Sequence, residues 1–265
     1  MFLFLIKAKN ILLDIFFPPV CFACQKHLAE RTNADSPAKI SNENSGEEAQ
    51  NNFLCEECLL SIKLNNSLFC PVCRARIPEF EKICHFNSKY LLAAATNYND
   101  PVIQNLIHYF KYKGFENIAP FLSEVLIKYT ESVIRNLKPA RPAGGLEIRN
   151  FLIIPIPLHP SRQRERGFNQ SELLAKNIAV YYSIPLINNL KRIRKNEHQV
   201  SLKDYGKRIK NIAGCFSIKN PEEIAGKNII LIDDVFTSGA TMNEAVEILK
   251  SAGARKIIAL VLAKA

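Results

Sequence analysis

What this 265-residue sequence lacks first is a long uninterrupted apolar run at its start: MFLFLIKAKNILLDIFFPPVC is broken by Lys7 and Lys9, and no small-residue cleavage site follows. A spanning helix needs about 20 consecutive apolar residues, and an export signal closes on small ones. Neither is expected. Residues 1–20 are read instead as an amphipathic N-terminal helix ended before Pro18 and Pro19, with no transmembrane segment and a cytoplasmic location. Histidine is also scarce, at five. None stands in a nucleophile–base constellation with Cys or Ser. His159, beside a proline, and His198, beside a glutamine, are expected to be structural or exposed. No solenoid repeat is visible beyond recurring cysteine pairs.

Charge is abundant, and of one sign: the net value is +10 with a pI near 9.2. A basic surface attracts phosphates, whether on nucleic acid, an anionic membrane or a small polyphosphate ligand. The strongest basic stretches are LKRIRKNEHQ and GKRIKN. They lack the interleaved aromatics of a base-stacking platform, although Tyr205 lies between them.

Eight cysteines in a chain expected to remain in the cytoplasm point to metal ligation and not to disulfides. Six form CxxC pairs: Cys21 with Cys24, Cys55 with Cys58, and Cys70 with Cys73. Two such pairs supply four thiolates, the usual ligand set of a structural zinc, and metal binding then contributes the folding energy of a core-poor module. In chain order, Cys21, Cys24, Cys55 and Cys58 make one complete Zn²⁺ site. A second would use Cys70, Cys73 and Cys84 but lacks a fourth thiolate, because position 87 is Asn. His85 is an awkward substitute, being adjacent to Cys84. Cys215 is expected to be a small buried residue. The polar insertion at about 27–52 is expected to be disordered within a module spanning 21–88.

From about residue 89 to 265 strands and helices alternate, which predicts an α/β fold with a mostly parallel sheet. YLLAAATNY reads as a strand, and two helical stretches follow within 101–136. Residues 136–149 read as a surface loop. NFLIIPIPL (150–158) reads as a strand buried on both faces. NQSELLAKNIAVYYS has helical spacing, with Leu173, Leu174, Ile178 and Ala179 on one side. The strand NIILID, a helix from Thr241 to Ala252 and the strand KIIALVLA complete the order.

The densest chemistry lies in NIILIDDVFTSGATMNEAVEIL (228–249). Asp233 and Asp234 fall at the carboxyl edge of the predicted sheet, where parallel α/β folds bind ligands. Both are expected to project from the strand end toward solvent and ligand, where adjacent carboxylates suit vicinal ribose hydroxyls. Thr237, Ser238 and Thr241 supply hydroxyls, Gly239 permits close backbone approach, and the new helix offers free N–H groups to a phosphate. In PIPLHPSRQRERGFNQSELLA (155–175), a turn carries Arg162, Arg164 and Arg166, suited to pyrophosphate, and Gly167 relieves the chain before a helix opens at Asn169. Lys111 and Lys113 fit a phosphate contact or a solvated helix face equally.

The 228–249 segment resembles the phosphoribosyl pyrophosphate (PRPP) motif of type I phosphoribosyltransferases. That resemblance implies that Asp233 and Asp234 hold the ribose hydroxyls, that Thr237, Ser238, Gly239, Ala240 and Thr241 hold the 5′-phosphate, and that Mg²⁺ binds chiefly through pyrophosphate. The run RQRERGFNQ after PIPLHP resembles the ComF family, as do LIHYFKYKG (106–114) and the Gln199–Leu202–Arg208–Asn211 spacing. These competence-associated proteins join an N-terminal double zinc ribbon to a phosphoribosyltransferase-like domain. The resemblance covers nearly the whole chain and departs at the insertion before Cys55 and at Asn87. It implies PRPP binding, a role in DNA uptake or DNA utilisation through single-stranded DNA or other nucleic acid, and peripheral association with uptake machinery. An active transferase acting on an unidentified base or amine is the alternative.

Overall fold

The computed structural model describes residues 20–28, 53–77, 84–85, 87–136, 150–194 and 214–265. The expected N-terminal helix, nearly all of the expected insertion, the 137–149 part of the loop, His198, Tyr205, GKRIKN and the Gln199–Asn211 spacing lie outside these residues. In chain order the elements are α1 (Glu56–Ser61), β1 (Leu68–Phe69), β2 (Arg76–Ile77), β3 (Leu91–Asn97), α2 (Pro101–Tyr112), α3 (Ala119–Asn136) and β4 (Phe151–Pro155). Then come α4 (Pro160–Arg166), α5 (Gln170–Tyr182), β5 (Leu190–Arg192), β6 (Phe216–Ile218), β7 (Asn228–Phe236), α6 (Ala240–Ser251) and β8 (Lys256–Lys264).

Strand β7 shows how the sequence dictates the layers. Its apolar residues alternate between two cores: Ile230 and Ile232 face one, Ile229 and Leu231 the other. In β8, Ile258, Leu260 and Leu262 face the first core, and Ile257, Ala259 and Val261 the second. Apolar side chains on both faces require cover on both faces. Helices α2, α3 and α5 pack on one side, and α6 with the two-stranded β5–β6 sheet on the other.

The main sheet runs β2-β1-β3-β8-β7-β4, with β3, β8, β7 and β4 parallel. The fold class is therefore the expected one. Cys70 and Cys73 lie in the turn of the short hairpin β1–β2, and β1 pairs antiparallel with β3 through Phe69 and Leu92. Cysteine-rich region and α/β region thus share one sheet.

Three local features place the site. Asp100 caps α2, its carboxylate accepting from the amides of Val102 and Ile103 at 2.9 and 3.3 Å. Asn169 caps α5, accepting from the Ser171 amide at 3.2 Å while its own amide group donates to the Ile156 carbonyl at 3.1 Å. Gln170 donates to the Phe110 carbonyl at 3.3 Å, tying the start of α5 to the end of α2. The residues expected as an arginine-bearing turn form a helix, α4, capped by His159, whose Nδ1 accepts from the Ser161 amide at 3.2 Å. His159 thus serves as a helix cap. Gly167 closes this helix at φ +84°, a region open to glycine at little cost.

Candidate functional site

Beyond the carboxyl edge of β7 lies a cavity of about 450 Å³ lined from α2, α4, α5, β5, β7 and α6. Strand β7 continues through both acids to Phe236, so the pair is held in register against β8, past the point where β4 ends. Asp234 is buried, at 7% exposure, which corrects the expectation that both acids project into solvent. Lys111, from the last turn of α2, pairs with Asp234 Oδ1 at 2.8 Å. Ser171 Oγ donates to Asp233 Oδ1 at 2.9 Å, and the Asp234 amide donates to the same oxygen at 2.9 Å.

The electrostatics follow from that crowding. Burial, reinforced by the Asp234 charge, pushes the Asp233 carboxyl up to about 7, against the opposite pull of Lys111 and the two hydrogen bonds. Burial opposes the charge on Lys111 too, but Asp234 beside it outweighs this and holds the ammonium above the ordinary lysine range.

The opposite wall is cationic. Arg162 and Arg166 are four residues apart on α4, so they share a helix face, and both line the cavity. Arg164, two positions along the helix, is exposed and does not line it. Arg192 on β5 joins them. Burial and the Arg166 charge lower the pKa of Arg162, while burial and Arg162 lower that of Arg192. The Arg192 Nε is buried with no hydrogen-bond acceptor among the described residues. Arg166 lies 5.2 Å from the Tyr112 ring centroid and donates to Gln170 Oε1 at 3.3 Å. Like charges held this close favour an anion between them.

Thr237, Ser238, Gly239, Ala240 and Thr241 line the same cavity. Gly239 stands at φ +80° immediately before α6, which carries no side-chain cap there. Its need for glycine is twofold. A Cβ would strain the backbone and would also come within 2.7 Å of Cζ of the Phe236 ring.

Two further clusters lie apart from this cavity. The sulfurs of Cys21, Cys24, Cys55 and Cys58 fall within 4.8 Å of one another, as do the ligand atoms of Cys70, Cys73, Cys84 and His85. A tetrahedral zinc with bonds of about 2.3 Å to sulfur and about 2.0 Å to nitrogen sets ligand edges of roughly 3.5–3.8 Å. Cys24 to Cys55 is 3.8 Å, and His85 Nδ1 is 3.5 Å from the Cys70 sulfur. Cys73 to Cys84 at 3.3 Å is slightly tighter, yet much longer than a disulfide. His85 therefore supplies the fourth position that spacing alone left open. The fold turns its ring to the thiols despite its adjacency to Cys84.

Sequence patterns thus indicated the acid pair, the loop, two of the arginines and the cysteines. They missed Ser171 and Arg192 and left Lys111 undecided. Lys111 and Ser171 lie within the segments LIHYFKYKG and RGFNQSELLA, but nothing local assigns them partners. Arg192 sits in a stretch that composition assigned to nucleic acid.

The buried ion pair predicts a pH-dependent cost for losing Lys111. Asp233, raised from about 4 to about 7, makes the folded state keep a proton that the unfolded chain releases, so it lowers stability as pH climbs through that window. Lys111 is protonated throughout this range and offsets the cost. Lys111→Met should therefore destabilise the protein by about 2–3 kcal/mol at pH 8 and by less at pH 5. Melts of both proteins across pH 5–8 measure this, and an equal loss at both ends would refute it.

The chain matches the family model described as "Phosphoribosyl transferase domain" over residues 171–265. It is 28% identical over 235 residues to "Competence protein F" of Haemophilus influenzae, spanning 81% of this chain and 98% of that protein. It is 27% identical to "DNA utilization protein YhgH" of Salmonella typhimurium across 77% of this chain and 81% of the relative. With "Competence protein ComFC" of Bacillus subtilis it shares 30% identity, over 76% of this chain and 79% of that relative. By this match, on top of the cysteine clusters and the acid-pair motif, the chain belongs to the ComF family.

Proposed function

We propose that the cavity binds PRPP and that the protein acts in DNA uptake or DNA utilisation through contact with nucleic acid. One observation carries the ligand: four cations (Lys111, Arg162, Arg166 and Arg192) and two adjacent carboxylates line one cavity. Such a surplus of positive charge around an acid pair suits a ligand that combines ribose hydroxyls with several phosphates. Asp233 and Asp234 would accept from the ribose hydroxyls. The segment from Thr237 to Thr241 would hold the 5′-phosphate at the start of α6, and Arg162, Arg166 and Arg192 would face the pyrophosphate. Lys111 would then exchange part of its bond to Asp234 for a ligand oxygen.

Mg²⁺ belongs to this proposal as a companion of the pyrophosphate, whose charge it neutralises. A hard cation takes oxygen ligands, and Asp233 and Asp234 are the carboxylates that line the cavity. Zn²⁺ fits both ligand sets, Cys21/Cys24/Cys55/Cys58 and Cys70/Cys73/Cys84/His85, as the ion that prefers sulfur and imidazole in a closed tetrahedron. We place a zinc-ribbon module at 21–88 and a phosphoribosyltransferase-like domain at 89–265.

The nucleic-acid role draws on the competence and DNA-utilization names of the relatives and on the basic stretches. A cytoplasmic setting is part of this proposal; among the described residues no helix is long and apolar enough to cross a membrane. The alternative, phosphoribosyl transfer to a base or amine, is favoured by Tyr98 and Tyr112, aromatic rings lining the same cavity. Pyrophosphate release with a defined acceptor would select it.

Asp233→Asn tests the ligand. Asn retains an acceptor for Ser171 but removes the charge, so PRPP affinity should fall about tenfold, equivalent to about 1.4 kcal/mol. Because the Asp233 charge costs stability at pH 8, this variant should melt no lower than wild type there. Unchanged affinity in calorimetric titration with PRPP and Mg²⁺ would remove Asp233 from the site.

Metal analysis of protein purified without chelator should return two zinc ions per chain. Cys55→Ser and His85→Ala should each return one. A single ion in the wild type that His85→Ala retains would exclude the His85 site.

Binding to a single-stranded oligonucleotide should weaken steeply as salt rises and depend little on sequence, as phosphate contacts do. Salt-insensitive binding, or none at low ionic strength, would count against a nucleic-acid role.

A further inference from the structure

Two of the three CxxC pairs, Cys21/Cys24 and Cys70/Cys73, are followed by a non-glycine residue in the left-handed region. Gln25 has φ 60° and Arg74 φ 61°. Their amides close equivalent turns, Gln25 donating to the Cys21 carbonyl at 2.9 Å and Arg74 to the Cys70 carbonyl at 2.8 Å. Glycine would adopt this conformation without the Cβ penalty. A strained position held by a long polar side chain calls for a reason in that side chain.

For Arg74 the reason lies at the phosphate loop. Its guanidinium donates through one nitrogen to the Thr237 carbonyl at 2.6 Å and through the other to the Ala265 carbonyl at 2.6 Å. The Ala265 amide in turn donates to the Phe236 carbonyl at 2.9 Å, so one side chain braces the ends of β7 and β8 together. The same guanidinium lies 5.8 Å from the Phe236 ring centroid, and that ring underlies Gly239. Arg74 is itself exposed, so its charge is screened, and what it contributes is a fixed two-pronged geometry. The peptide plane then does the rest. Holding the Thr237 carbonyl toward Arg74 turns the Ser238 N–H to the opposite side of a trans peptide.

We propose that Arg74 is a strut through which the Cys70/Cys73/Cys84/His85 knuckle sets the shape of the 237–241 loop, so that metal in this knuckle and ligand in the loop favour each other. The ligand half of this rests on the PRPP reading above. Arg74 is a positioning residue, acting through the Thr237 carbonyl. Linkage is reciprocal: PRPP would tighten metal retention by the same factor that metal tightens PRPP binding.

Arg74→Gly separates this role from simple support of the knuckle, because it relaxes the backbone while deleting the strut. It should keep the full metal content and melting temperature of the wild type. Amide hydrogen exchange over residues 237–241 should quicken without any ligand present, and PRPP affinity should fall about fivefold, the low end of measured site-to-site couplings. Arg74→Lys, with one ammonium for two carbonyls, should fall between. Cys84→Ser, which removes metal from this knuckle alone, should weaken PRPP by a similar factor, and combining it with Arg74→Gly should add little. Exchange and affinity in Arg74→Gly equal to wild type would overturn the strut. Weakening in Arg74→Gly but not in Cys84→Ser would overturn the link to metal. Faster exchange in Arg74→Gly, with no PRPP binding by wild type, would uphold the strut and instead refute the PRPP reading.

Discussion

Two carboxylates on consecutive residues, one of them buried, are the constraint around which the rest of the site is arranged. Like charges this close repel, and burial makes the repulsion expensive. The fold answers with a cation from one helix and a hydroxyl from another: Lys111 on α2 for Asp234, and Ser171 on α5 for Asp233. The end of α2 and the start of α5 must therefore meet beside β7. The caps at Asp100 and Asn169, and the bond from Gln170 to the Phe110 carbonyl, fix where each helix begins and how they meet. Layer packing and site geometry are one problem here, since the apolar face of α2 that buries Leu106 and Phe110 also determines where Lys111 arrives.

The cationic wall follows the same logic with the sign reversed. Arg162, Arg166 and Arg192 come from a short helix and a short strand that are distant in sequence. Burial and a neighbouring guanidinium lower the pKa of Arg162 and of Arg192. A protein does not gain stability from such an arrangement, which accords with the polyphosphate ligand proposed above.

What the sequence made legible was whatever chemistry is contiguous. The acid pair and the loop after it occupy one segment, and the CxxC pairs announce metal ligands by spacing. The alternation of strand and helix gave the parallel sheet. What it hid was chemistry assembled by tertiary contact. Lys111 on α2 looks like an ordinary helix-surface lysine until α2 is laid against β7. Arg192 belongs to a basic stretch whose first residues form β5, and charge alone does not reveal which guanidinium turns inward. Taking 160–166 as a turn made three arginines equivalent, and helical periodicity separates Arg164 from the other two. His85 was discounted for its adjacency to Cys84, a local argument that the three-dimensional turn overrides.

The hairpin β1–β2 has a consequence for solubility. Strand β3 pairs with β8 on one side, and its other side would be a bare edge of LLAAAT, an apolar strand of the kind that recruits copies of itself. Antiparallel pairing of Phe69 with Leu92 caps that edge, and the hairpin beyond is only two residues per strand, too short to extend the sheet further. The cysteine-rich region thus doubles as an edge guard. Cutting it away would leave the α/β region with an open seam, and its failure would take the form of strand-to-strand self-association even where its own core remained intact.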